Sequence, residues 1–549
     1  MKKLLPILLV LMMLCSTAFA AGFEVPAEGY DGSEVTITFC TQQGTALQEV
    51  TANYIAEFNK LYPNIHVEHT TQGSYDDVRD QIVTDISVGA QPNVAYCYPD
   101  HVALYNLAKA VQTLDELIDS KVEVTRADGT TEILGLTDEQ KADFIEGYYE
   151  EGRQYGDGLM YTMPFSKSTE VLYYDKTFFE ANGIAVPTTW EEMEQVCAKI
   201  KEIDPESIPL GYDSEANWFI TMCEQYDSPY TSATGEHYLF NNEQNRAFVK
   251  MFNEWYNKGY LTTQKLYGAY TSGLFTATTG VRSYMSIGSS AGAKHQRPAA
   301  NADGSYPFEV GIATIPQVNN DNRKVISQGP SVCIFKKDNP QEVIASWLFV
   351  KFLTTSVDFQ AEFSMASGYV PVIKSVTENT AYADFLAQAD GGDYVTALST
   401  QVCLEQADAY YTSPAFVGSS TARDQVAALL SKCLTLAGDD VDAQIETAFE
   451  EAIDECEYAN YALLLENTSA SATAWLALPS GAGGRDGLRR PPPAGGKDRH
   501  AADGSNGAYL CGRRHHPLFR AGGSVPRRRA ERPLSGGQHA GMHGKGGTL

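Results

Sequence analysis

Apolar and polar residues alternate from Val35 to Cys40, the period-two pattern of a strand. Leu47, Val50, Tyr54, Ile55, Phe58 and Leu61 then recur at helical spacing across Gly44–Leu61, and Pro63 ends that helix. Ile65–Val67 resumes a strand. Val78, Ile82 and Ile86 mark a second amphipathic helix closed by Gly89, and Pro92-Asn93 leads into a wholly apolar strand, Val94–Tyr98. Strand–helix–strand–helix–strand predicts a mostly parallel sheet covered on both faces.

Residues 121–140 read as an excursion turning at Asp128-Gly129. Tyr161–Phe165 is extended, Ser166–Thr169 is a polar loop and Val171–Tyr174 is an apolar strand. Asp175 starts a short helix that Gly183 ends, and Pro187 leads into a new helix at Trp190. Helical patterns dominate from Trp190 to Gly259. Strand patterns return at Phe308–Ile315 and Val325–Phe335, followed by helices at Glu342–Leu353, Tyr382–Ala389, Thr421–Ala437 and Val441–Leu465. Strands that return after a long helical section predict a chain crossing more than once between two lobes, with ligand held at strand ends in the cleft between them.

The N-terminus carries Lys2-Lys3, an apolar run Leu4–Leu14 and an A-x-A site at Ala18–Ala20, which predicts a secretory signal peptide over residues 1–20 and an exported protein, periplasmic or held at the cell surface. Cys15 raises lipid attachment as a rival, although Leu14 stands where a lipobox needs a small residue. Residues 21–33 read as a linker.

The net charge of −28 is unevenly spread. Before Trp475 the chain has 28 Lys+Arg against 65 Asp+Glu, a net of −37; from Trp475 onward it has 13 against 4. An acidic body excludes nucleic acid and anionic membrane as partners. The segment 471–549 is dense in Arg, Gly, Pro and Ala without apolar periodicity, and it is expected to be disordered. Those residues share GC-rich codons, so translation out of frame past the end of the coding sequence explains the mixture; a basic tail for nucleic acid or wall polymer is the alternative. Of ten cysteines, eight lie scattered through the body without a C-x-x-C, which reads as buried thiols, with one or two disulfides open to an exported chain.

Gly288-Ser289-Ser290-Ala291-Gly292 matches the G-x-S-x-G elbow of hydrolases, with Ser290 as nucleophile. His295 lies too close in the chain, and no oxyanion segment precedes it, so a ligand-approaching loop of small residues is the better reading. Asp76-Asp77 after Ser74-Tyr75 suits a helix start. Glu191-Glu192 suits a solvated face. No P-loop, GxGxxG or HExxH is present, and no cofactor or metal is expected. Tyr75, Trp218, Tyr369 and Tyr411 stand beside loops, where flat rings pack against sugar C–H faces.

The segments EFNKLYPNIHVE, QGSYDDV, GAQPNVAYCY, YTMPFSKSTEVLYYDKTFFEANGIAVPTTWEEM, FEVGIATIP and SGYVPV, in that order, resemble the extracellular solute-binding proteins of ABC importers over about Glu34–Leu465. The resemblance is closest to the glycerol-3-phosphate-binding branch. It implies an α/β, bilobal, periplasmic-binding-protein-like fold of type II, with two lobes joined by a multi-strand hinge. Residues 34–470 would form it, lobe 1 being about 34–150 with 286–335 and lobe 2 about 151–285 with 336–470. It also implies no catalysis, a monomer, and delivery of a solute to the transmembrane subunits of a permease. Ligand contacts carry over to Tyr75, Ser168, Gly329 and Tyr369, with Ser289 or Ser290 in another contact loop and Ser166 in the polar loop facing the cleft. Pro99 stands where the branch has an acidic residue, leaving Asp100 one place on. The phosphate-binding Arg of the branch maps near Ala415–Val417, where no basic residue stands, and Arg423 reads as out of register. A carbohydrate is therefore expected. Glycerol 3-phosphate or a glycerophosphodiester is the alternative, and a secreted hydrolase using Ser290 the remote one.

Overall fold

The computed structural model describes residues 23–388, 391 and 393–476, with side chains to residue 461. The signal peptide, Cys15, Ala389 and the tail beyond residue 476 lie outside the described residues. The last helix, Val441–Leu476, runs six residues past the boundary expected at 470. Among the described residues no helix is long and apolar enough to cross a membrane.

Fourteen strands are described: β1 (Val35–Thr41), β2 (Ile65–Thr71), β3 (Val94–Cys97), β4 (Glu123–Thr125), β5 (Thr131–Ile133), β6 (Thr162–Pro164), β7 (Ser168–Asp175), β8 (Leu210–Tyr212), β9 (Leu261–Thr263), β10 (Met285–Ser289), β11 (Val310–Ala313), β12 (Val325–Gln328), β13 (Ser331–Ile334) and β14 (Tyr410–Tyr411). The first sheet has the order β2-β1-β3-β13-β6. Its β1, β2 and β3 are parallel, as the opening alternation predicts, while β13 and β6 return antiparallel. The second sheet has the order β14-β12-β7-β10-β8-β9, with β11 also on β7. The excursion at 121–140 is the hairpin β4-β5, turning at Gly129 with a φ of 83°. The two largest apolar clusters centre on different sheets, although the first also takes in Tyr173 and Ile312 of the second sheet. One gathers Phe39, Phe58, Trp347 and Phe359; the other gathers Trp190, Trp218, Phe252 and Trp255.

The sheets divide the chain differently from the lobes expected. Strands β10, β11 and β12 (285–328) belong to the second sheet, and of the expected stretch 286–335 only β13 belongs to the first. The helix Pro340–Thr355 packs on β1, and Val357–Ser367 packs on the helix Thr45–Leu61, so both cover the first sheet. The strand pattern Val325–Phe335 is two strands in two sheets. Gly329, at a φ of 95°, and Pro330 break it.

The chain passes between sheets at three adjacent places. β6 leads to β7 through Phe165–Lys167, and β12 leads to β13 through Gly329-Pro330. The amides of Phe165 and Ser166 donate to Pro330 O at 3.2 and 3.3 Å. Val370 pairs with Lys167, and after the helices Thr380–Leu386 and Tyr394–Glu405 the chain is back at the second sheet in β14. A β-carbon on Gly329 would lie 2.5 Å from Ser166 O, so only glycine lets these crossings touch. Lys167 is fully buried there and pairs with buried Glu151; its Nζ also donates to Ser331 Oγ at 3.0 Å and Gly329 O at 3.3 Å. The hinge is thus multi-stranded and tied by an internal ion pair.

Candidate functional site

A cavity of about 250 Å³ lies between the lobes. The first lobe supplies Asp76, Arg79, Tyr98, Asp100, His101 and Glu151. Asp76 and Arg79 stand on the helix Tyr75–Ser87, whose start is capped by Ser74 accepting from the Asp77 amide at 3.1 Å. Asp100 and His101 begin the helix Pro99–Tyr105, which follows β3 directly and so brings them to a strand end. The second lobe supplies the end of β12, the segment Thr412–Ala415 and the helix Ser419–Leu434. That helix begins after Gly418, at a φ of 101°. Ser420, Arg423 and Asp424 then fall at i, i+3 and i+4 on one face, and all three line the cavity.

Two polar chains converge here. The Ser420 hydroxyl donates to the Asp100 carboxylate across the cleft. Burial raises the Asp100 pKa, but His101, the Ser420 hydrogen bond and Arg423 outweigh it and hold the carboxyl below its ordinary value. Arg423 Nη2 donates to Asn217 Oδ1, Asn217 Nδ2 donates to Glu170 Oε1 at 3.0 Å, and the Tyr212 hydroxyl donates to Glu170 Oε2 at 2.5 Å. Burial pushes Glu170 up to about 7 despite these partners.

Five neutral polar atoms on this wall are buried without a hydrogen-bond partner: Tyr230 OH, Thr231 Oγ1, Ser327 Oγ, Gln328 Nε2 and Ser413 Oγ. An unmet buried polar group costs about 1–3 kcal/mol. All five belong to residues that line one cavity, which marks it for a hydrogen-bonding occupant.

Of the residues expected from sequence, Asp100 lines this cavity. Tyr75 and Tyr369 share a hydroxyl–hydroxyl hydrogen bond of 3.1 Å and approach it through Tyr98, whose ring centroid lies 4.7 Å from that of Tyr75. Ser166 and Ser168 are buried at the hinge, and Ser168 is the first residue of β7, paired with Gln328, rather than part of a loop. Gly329 serves the crossing. Trp218 corrects the loop-side expectation. Ser214 caps the helix Glu215–Gln225, which puts Trp218 in its second turn, fully buried and stacked on Tyr212 at 4.7 Å. Tyr411 lies in β14 and shares a 3.0 Å hydrogen bond with Thr221. Ser289 caps the turn Ser290–Gln296. Ser290 is fully buried, and its Oγ accepts from the Thr169 amide at 3.3 Å, a structural role rather than that of an exposed nucleophile.

Arg423 is a second correction, because the structure brings it into the cleft from the helix Ser419–Leu434, six residues beyond the segment where sequence placed the missing Arg. The eight described cysteines are free and buried. Among the described residues no cluster of His, Cys, Asp or Glu is arranged to hold a metal ion.

Residues 53–389 match the family model for the bacterial extracellular solute-binding protein. The chain belongs to that family. It is 22% identical over 401 residues to the sn-glycerol-3-phosphate-binding periplasmic protein UgpB of Escherichia coli K12, covering 69% of this chain and 84% of the relative. The sugar-binding protein MalE from Xanthomonas citri superposes with a TM-score of 0.60 at 17% identity, covering 78% of this chain and 99% of its own. UgpB from Mycobacterium tuberculosis, in complex with glycerophosphocholine, gives a TM-score of 0.59 at 17% identity over 76% of this chain and 98% of its own. These structures share the bilobal α/β architecture of periplasmic binding proteins, and the chain has that fold.

Proposed function

We propose that this protein is the exported receptor of an ABC importer, that it closes its two lobes over a carbohydrate or polyol, and that it delivers this solute to a membrane permease. The unpartnered neutral groups Tyr230, Thr231, Ser327, Gln328 and Ser413 carry the reading. Sugar hydroxyls both donate and accept, so one solute can satisfy all five atoms. The volume supports it too: about 250 Å³ equals roughly eight waters, the scale of a mono- or small disaccharide. Asp100 and Ser420, joined across the cleft, would hold the closed lobes over the solute. Both walls come from one chain, so a monomer suffices. The sugar-binding relative fits this reading. The sequence of residues 1–20 supports export by a signal peptide.

A second reading is favoured by Arg423. A guanidinium in the cleft suits the phosphate of glycerol 3-phosphate. Calorimetry and thermal shift against monosaccharides, disaccharides, pentitols and glycerol 3-phosphate separate the two. Binding of a sugar or polyol supports the carbohydrate reading. Binding of glycerol 3-phosphate alone, lost in Arg423→Gln, overturns it.

A further inference from the structure

A second cavity, of about 690 Å³, adjoins the first, and Ala415 lines both. It too is bounded by both lobes: Lys109, Tyr155, Tyr161 and Lys336 on one side, His237 and Phe416 on the other. The Lys336 amide donates to Ala110 O at 2.8 Å, and Val111 pairs with Phe335, so the backbone fixes the two lysines as neighbours. Both lysine side chains are exposed, at the rim of the cavity, and among the described residues neither has an ion-pair or hydrogen-bond partner. Burial pushes the Lys336 pKa down, and the charge of Lys109 pushes it further. Lys109 also holds a φ of 53°, a left-handed conformation that non-glycine residues seldom adopt. The acidic lining residue, Asp157, is engaged by the Tyr161 hydroxyl at 2.7 Å and the Leu159 amide at 3.0 Å.

Two mutually repelling, unpaired cations in a body of net charge −37 run against the rest of the molecule. The neighbouring cavity has the opposite balance, with Asp76, Asp100, Glu151 and Asp424 against Arg79 and Arg423. Rings line the second cavity: His237 stacks on Phe416 at 4.6 Å, and Tyr155 meets Tyr161 edge-on at 5.0 Å. Rings offer flat faces to the C–H surface of a sugar.

Resting on the carbohydrate reading, we propose that Lys109 and Lys336 make the second cavity an anion-accepting chamber. The solute is then a carbohydrate bearing a carboxylate or phosphate, its hydroxyls in the first cavity and its acidic group at the lysine pair. The anionic group binds by charge-assisted hydrogen bonds, and no covalent step is involved.

The test titrates the full chain with matched pairs: neutral disaccharides, the same disaccharides oxidised to uronates, and their phosphorylated forms. The uronate or the phosphate of a bound pair should bind about five- to ten-fold more tightly than its neutral counterpart at low salt. Lys109→Gln/Lys336→Gln should erase that preference and leave the neutral affinity unchanged; which acidic form gains more identifies the group. Equal affinities within every bound pair, or a preference that survives the double substitution, would overturn the proposal. If no sugar binds, the carbohydrate reading fails, and ³¹P line broadening of inorganic phosphate then reads the chamber alone. Broadening abolished by the double substitution supports an anion site, and its absence overturns one.

Discussion

Asp100 and Ser420 stand 320 positions apart, on helices that flank different sheets, and are joined by a hydrogen bond from the Ser420 hydroxyl to the Asp100 carboxylate. This bond spans the cleft beside Arg423. It therefore reports the approach of the lobes rather than the stability of either one.

Ser420→Ala should loosen the closed state without harming either core. A hydrogen bond to a charged acceptor contributes about 1.5–3 kcal/mol, so solute affinity should fall by roughly ten-fold or more, while the melting temperature of the solute-free protein stays nearly unchanged. Calorimetry and a thermal melt check the two halves of this expectation. An unaltered affinity would show that the bond does not help hold the lobes together.

The Lys167–Glu151 pair at the hinge is fully buried, and truncating one partner strands the other. Lys167→Met should cost about 3–5 kcal/mol in urea unfolding. Lys167→Met/Glu151→Gln should recover most of it, since neither side chain then carries a charge. A double variant as unstable as the single one would mean that packing, not charge, sets the cost.

Glu170 sets a pH dependence whose sign follows from its raised value of about 7. The unfolded carboxyl titrates near 4.3. Between those values the folded protein holds a proton that the unfolded chain releases, so stability falls as pH rises through this window, by at most about 4 kcal/mol. Glu170→Gln should flatten that slope. Urea melts at pH 5 and pH 8 measure it, and equal slopes in variant and wild type would contradict the assignment.

Gly329→Ala places a methyl group 2.5 Å from Ser166 O at a φ of 95°. A loss of about 2 kcal/mol or more is expected in equilibrium unfolding. A neutral effect would mean that the crossing strands separate easily.

The pattern of the first hundred residues is enough to read β1, β2, β3 and their helices: β1 and β2 alternate, the helices bury one face, and β3 is a short apolar run after Pro92-Asn93. The crossing at Gly329-Pro330 was harder. Val325-Ile326 and Val332–Phe335 are both apolar, and strands buried on both faces carry no alternation to show where the chain changes sheet, although the polar Ser-Gln-Gly-Pro-Ser stretch between them is a visible break. Trp218 was misplaced because its neighbours resemble a turn, whereas the Ser214 cap starts the helix early enough to point the indole inward. Arg423 reads as out of register because linear mapping looks for a cation at 415–417. The Ser420, Arg423 and Asp424 spacing was legible as one helix face, but only the folded chain shows that this face meets Asp100. The orphaned hydroxyls had no sequence signal at all, since serine and threonine are common everywhere and their isolation is a property of the cavity.

Those hydroxyls supply the most direct test. Ser327 Oγ and Ser413 Oγ have no partner in the solute-free protein, so Ser327→Ala and Ser413→Ala should leave its urea stability unchanged or slightly raised. If a solute satisfies these groups, each substitution should weaken calorimetric affinity for it by about three- to ten-fold. Affinity that is unchanged in both variants would place the solute elsewhere and contradict the account.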